Sequence, residues 1–230
     1  MKPVNSSHYI AGGYFVTKSA ARCDWMDAAL FSKSVMSATT CIGDMIPHVW
    51  STDWPEYGVR PSDLLLLEAW VGRHYNHTIG YTNLFFSPAI AKEFMTTFFP
   101  SLSDYQIIGI GLDHGLVDTF MAHQPQSTKD GLHTILKRNV PLFSNGTLLG
   151  FEVIGTEFGA IRHSLLCSSF YEIFTQTFNN CHIAPNNYGL FDTLTDVTIY
   201  TEAANRQNNT NIDGWLPWLV MDYSHGDEIT

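Results

Sequence analysis

Charge is what this chain has least of. Charged residues are 15% of its 230 residues, against about a quarter in a typical soluble domain. Basic residues are scarcest, 12 against 22 acids, for a net charge of −10. No basic helix and no aromatic–basic sheet motif is present, which argues against nucleic-acid binding, and an acidic field repels anionic membranes. No stretch of about 18 apolar residues exists to cross a membrane. The opening MKPVNSSHYIAGG has no apolar core of the kind a secretory signal needs, so a cytoplasmic location is expected. Cys23, Cys41, Cys167 and Cys181 form no CxxC pair and no dense framework. They are expected to be reduced thiols. Internal repeats, low-complexity tracts and linkers are also missing, so the expectation is one domain spanning 1–230.

Aromatic residues, by contrast, are plentiful: 15 Phe, 10 Tyr and 6 Trp, within a hydrophobic content of 45%. Such a chain folds around a core. His8 to Lys18 reads as a strand with a bulge near Gly12-Gly13. Pro61 to His74 is open to a buried helix or a strand, and Pro61 and Asp63 favour the helix. Ser87-Pro88 is an N-cap followed by a favoured first helical residue, and Ile90, Phe94 and Phe98 form its apolar stripe. Tyr105 to Leu112 and Leu148 to Phe158 read as core strands, with Gly109 and Gly111 marking close backbone approach. Helices are expected over Ser164 to Phe178 and Asp196 to Arg206. Trp215 to Tyr223 reads as an edge strand, since Pro217 cannot donate to a sheet ladder. Irregular interleaving of these elements predicts an α+β fold, a mixed or mainly antiparallel sheet with helices packed on it.

Glu152, Glu157, His163 and Cys167 are the sharpest set for enzymatic chemistry, because a cysteine beside a histidine can act as nucleophile and base while a carboxylate orients the ring. On the expected helix His163 and Cys167 would share one face, whereas catalytic dyads are usually assembled from separate elements. The combination of His163, Cys167, Cys181 and His182 lacks zinc-knuckle spacing, so no metal and no cofactor is expected. GIGLDHG, from Gly109 to Gly115, has neither phosphate-loop spacing and offers Asp113 where a cation is wanted. Two segments mix aromatics with acids in the manner of interface anchors, with burial of Trp50 and Trp54 under a loop as the equal alternative. One contains Trp50, Asp53, Trp54, Glu56 and Tyr57, the other Asp222, Asp227 and Glu228. From His163 onward the chain carries eight acids and one base, Arg206, or −7 of the total −10.

The segment LGFEVIGTEFGAIRHSLLC, Leu149 to Cys167, resembles a pattern found in uncharacterised bacterial proteins similar to the immunity proteins of polymorphic or type VI secreted toxins. A Gly-Phe-Glu strand and a second glycine precede a His-Ser-x-Leu-Cys phrase. Leu165 stands where that pattern has Trp, and Arg162 where it has an aromatic. The resemblance implies neutralisation of a cognate toxin domain by direct binding, a basic nuclease being one natural partner. It transfers no catalytic residue. A Cys/His hydrolase and a sensory domain that binds a small ligand stay open as alternatives.

Overall fold

The computed structural model describes residues 6–45, 54–74, 84–99, 104–123, 132–157, 160–207 and 212–225. Its strands are β1 (Tyr9–Lys18), β2 (Ala20–Ala21), β3 (Ser34–Val35), β4 (Asp44–Met45), β5 (Gln106–Asp113), β6 (Thr147–Glu157), β7 (Ala160–Ser164) and β8 (Gly214–Asp222). Its helices are α1 (Leu64–His74), α2 (Pro88–Phe98), α3 (His114–His123), α4 (Leu132–Lys137), α5 (Tyr171–Cys181) and α6 (Leu194–Asn205). Six strands form one sheet in the order β4-β1-β5-β8-β6-β7, and every pairing is antiparallel. The fold is α+β.

Both faces of this sheet are covered. Along β8, Trp215, Leu219 and Met221 enter one core with Phe94, Phe174 and Tyr200, while Trp218 and Val220 enter a second with Phe120, Leu132 and Ile135. The two-residue alternation of a strand thus feeds two cores. Helices α2, α5 and α6 supply the first core, and α3 and α4 the second.

Several local expectations are met. The β1–β5 register shifts between Ala11 and Gly13, leaving Gly12 as the extra residue, with Gly13 at φ +126°. A side-chain carbon at Gly109 would lie 2.6 Å from the Tyr223 ring and 2.7 Å from that of Tyr14, which is why the strand is bare there. Ser87 caps α2 by accepting from the Ile90 N–H at 3.3 Å. Thr193 caps α6 in the same way. Its Oγ accepts from the Asp196 N–H at 3.1 Å and donates to the Asp196 carboxylate at 2.7 Å. Thr193→Ala is expected to cost about 1 kcal/mol, read as a lower midpoint in urea with unchanged slope.

Two expectations are corrected. Trp215 to Tyr223 belongs to a central strand, since β8 lies between β5 and β6. Pairing with β5 stops at Leu112 opposite Trp218, so Pro217 sits one residue beyond that ladder, where no N–H is required of it. The helix expected from Ser164 begins at Tyr171. Before it, Ala160–Ser164 form β7 and residues 165–170 make turns. Leu166 and Phe170 are still buried, at the base of those turns.

Candidate functional site

The β6–β7 hairpin organises the chemistry. Glu157 pairs with Ala160 and Thr156 with Ile161, but Gly155 pairs with His163, so Arg162 is an extra, bulged residue. Residues directly opposed across an antiparallel ladder share a face, as do residues two apart on one strand. His163 therefore faces the same way as Gly155 and Glu157. Without the bulge it would face the other side. The outcome is a contact of 3.2 Å between His163 Nε2 and the Glu157 carboxylate, with both side chains about a quarter exposed. The Phe170 ring meets the imidazole in a T-shaped contact at 5.4 Å between centres, and Phe170 in turn meets Trp215 at 4.9 Å.

Ser164, one residue on, faces the opposite side together with Ile154, its partner, and Glu152. Glu152 is 3% exposed and is the buried acid of the described residues. Its carboxyl shares a 2.5 Å hydrogen bond with the Ser37 hydroxyl and accepts from the Ala38 N–H at 2.8 Å. Burial pushes its pKa up, and the bonds to Ala38, Ser37 and Ser164 oppose that rise. Ser37 also lies 2.9 Å from the Thr39 hydroxyl, which lies 3.2 Å from Cys41 Sγ. A chain of hydroxyls thus leads from a buried carboxyl to a sulfur.

That sulfur is bonded. Cys41 and Cys167, 126 residues apart, form a disulfide with their Cα atoms 6.1 Å apart. The expectation of four reduced thiols is corrected: Cys23 and Cys181 are the free pair. Cys spacing along the chain reveals knuckles and short loops, and a link between such distant residues leaves no spacing pattern. The Ser164 N–H donates to Cys41 Sγ at 3.3 Å. Residues 36–42 wrap the β7 edge of the sheet, since Met36 and Ala38 pack in one core and Ile42 in the other.

The disulfide, His163 and Glu157 line one cleft of about 510 Å³, with Ser168, Ser169, Phe170, Ile212 and Trp25. Trp25 is 44% exposed yet fixed. Its indole N–H donates to the Leu166 carbonyl at 3.0 Å, and the nearby Asp27 N–H donates to the Tyr171 hydroxyl at 2.9 Å. Three of the four residues expected for enzymatic chemistry, Glu157, His163 and Cys167, therefore meet in one cleft, and Glu152 supports it from behind. Cys41 and Trp25 were not foreseen. Cys167 is 6% exposed and Cys41 is exposed.

The two aromatic–acid segments are described only in part. Trp54 is 4% exposed and belongs to the core, so it cannot anchor a partner. Glu56 is exposed, and the Tyr57 backbone ends a short 3-10 turn. Asp222 is half-buried and accepts from the Ser224 N–H and hydroxyl at 2.8 and 2.5 Å, closing a turn. Trp50, Asp53, Asp227 and Glu228 lie outside the described residues. Among the described residues no group of three His, Cys, Asp or Glu side chains is placed to hold a metal ion, and no helix is long and apolar enough to cross a membrane. No protein-family model, no curated protein and no solved structure matches the chain.

Proposed function

We propose that this protein is a binding protein of the immunity type, which neutralises a cognate toxin domain by direct contact, and that the contact is made at the Trp25 cleft. The observation that carries this reading is Trp25. A large aromatic that is half exposed but already fixed by two hydrogen bonds around it loses little entropy when a partner covers it, which is the usual anatomy of an interface hot spot. Beside it, Glu157 and the serines of 168 and 169 offer acceptors to a basic side chain. The overall charge of −10 adds long-range attraction for a basic partner.

The hydrolase alternative receives less support, because Cys167 is 6% exposed and its sulfur is shared with Cys41. A cytoplasmic site of action, where cysteines stay reduced, and an oxidising one, where disulfides persist, would give the cleft different sulfur chemistry. The test is co-expression of the chain with a toxin domain encoded by a neighbouring gene, followed by measurement of affinity with purified proteins. Trp25→Ala combined with Glu157→Lys is expected to weaken the complex about 30-fold or more and to abolish rescue. Raised salt is expected to slow association more than it speeds dissociation. Unchanged affinity in the double variant, with loss on reversing Glu56 and Asp222 instead, would move the interface to the other segments. Loss of rescue in Cys167→Ser with the complex intact would favour catalysis.

A further inference from the structure

We infer that Cys41–Cys167 is a thiol–disulfide exchange site for a dithiol, with Cys41 as the exchanging sulfur, Cys167 as the resolving sulfur, and Glu152, Ser37 and Thr39 as the proton line to Cys41. The inference does not need the binding reading: it concerns the same cleft but other residues of it.

Access assigns the roles. A thiolate must reach a sulfur along the S–S axis from outside, and Cys41 is exposed on the cleft while Cys167 is buried. Leaving ability bears on the second step, where Cys41 is expelled from the mixed disulfide. Two donors already point at Cys41 Sγ, the Ser164 N–H at 3.3 Å and the Thr39 hydroxyl at 3.2 Å. A disulfide sulfur carries no proton, so Thr39 is the donor in that pair. Such donors strengthen when the sulfur becomes an anion, so Cys41 is a good sulfur both to enter and to leave a mixed disulfide.

Hydrogen-bond direction ties Glu152 to this sulfur. Each hydroxyl has one proton. If Thr39 gives its proton to Cys41, the 2.9 Å contact between Thr39 and Ser37 needs the Ser37 proton. With Glu152 ionised, Ser37 donates to it at 2.5 Å; once Ser37 gives its proton to Thr39, that contact turns round and needs a proton on Glu152. The Ala38 N–H occupies the other carboxyl oxygen, which leaves the Ser37-facing oxygen to carry it. A continuous run of hydrogen bonds towards Cys41 therefore requires neutral Glu152, the form that its burial favours.

In the exchange, one thiolate of the dithiol attacks Cys41 Sγ. The Cys41–Cys167 bond breaks, Cys167 takes the electron pair and a proton from water in the cleft. The second thiolate of the dithiol attacks its own bonded sulfur. Cys41 leaves with that electron pair, held by the Ser164 N–H and Thr39, and is protonated through Thr39 and Ser37 from Glu152. Glu152 then recovers a proton from solvent, so the dithiol ends as its disulfide and the protein has gained two electrons and two protons.

The test equilibrates the folded protein, from both the oxidised and the reduced side, in ladders of reduced and oxidised dithiothreitol and, separately, of reduced and oxidised glutathione. Alkylation and mass mapping read each cysteine, and circular dichroism reads the fold. The expected result is opening and closing with the fold retained, and a glutathione adduct on Cys41 alone. Cys167→Ser is expected to trap that adduct. Thr39→Val is expected to slow its release by dithiothreitol about three- to tenfold, because a poorer leaving thiol leaves more slowly. Glu152→Gln, which keeps the hydrogen-bond direction but yields no proton, is expected to remove one step from the pH profile of release. The inference is overturned if the disulfide opens only in step with global unfolding, if the adduct maps to Cys167, or if Thr39→Val and Glu152→Gln both release as wild type. Should Cys167→Ser not fold, the wild-type adduct map decides alone.

Discussion

Replacing Cys41 and Cys167 together by alanine is expected to lower the unfolding free energy by about 4 kcal/mol, within a usual range of about 2–5. The reason lies mainly in the unfolded chain. A bond between residues 126 apart in sequence removes a large share of the conformations open to that chain, and the entropy of closing so long a loop is near the top of the range. The native state loses little besides, because residues 36–42 keep their bonds to Glu152. The measurement is urea unfolding of the variant and of the wild type with and without dithiothreitol. The reduced wild type should unfold at the variant's midpoint, and the oxidised form should show a smaller slope, because its unfolded state stays more compact. A wild-type midpoint that the reductant leaves in place would contradict a stabilising link.

Glu152→Ala is expected to cost about 3–5 kcal/mol, the scale of breaking a buried polar network from one side. The variant strands the Ala38 N–H and the Ser37 hydroxyl in a closed interior. Glu152→Gln is expected to cost under about 1 kcal/mol near neutral pH, since the amide can accept from Ala38 and donate to Ser37. The pH dependence separates the two forms. Burial raises the folded pKa of Glu152 above that of the unfolded chain. Between the ordinary carboxylate range and that raised value the unfolded state binds fewer protons, so stability falls as pH rises through the window. Below the window Glu152 costs nothing in ionisation. Glu152→Gln should flatten this slope, and denaturation midpoints taken across pH would show it. A slope equal to that of wild type would mean that Glu152 is charged in both states.

Much of the scaffold was legible because its signals are local. The bulge at Gly12, the Ser87 cap and the bare strand at Gly109 each follow from a residue and its immediate neighbours. What failed was whatever depends on distant partners. Pro217 is central because β5 happens to stop opposite Trp218. Trp54 is in the core although its neighbours are acidic and loop-like. The site was half visible. Glu157, His163 and Cys167 could be chosen by chemistry and Glu157 falls on its expected strand, but His163 and Cys167 lie on no helix, and one bulged residue at Arg162 decides which side of the sheet His163 takes. Cys41 and Trp25 reach the same cleft from the other end of the chain. Nothing in their own neighbourhoods marks them.

The wrapped edge has a consequence for how the protein behaves in company. A sheet ends where its last strand has no neighbour, and a bare strand of that kind is a template for a strand of another molecule. Here one boundary strand, β4, is two residues long, and the other, β7, is overlaid by residues 36–42, whose Cys41 takes up the Ser164 N–H. The covering segment is held by Glu152 at one end and by the bond to Cys167 at the other. Whatever loosens either end uncovers backbone that would otherwise recruit its own kind, so the clasp that shapes the cleft also guards the fold against self-association.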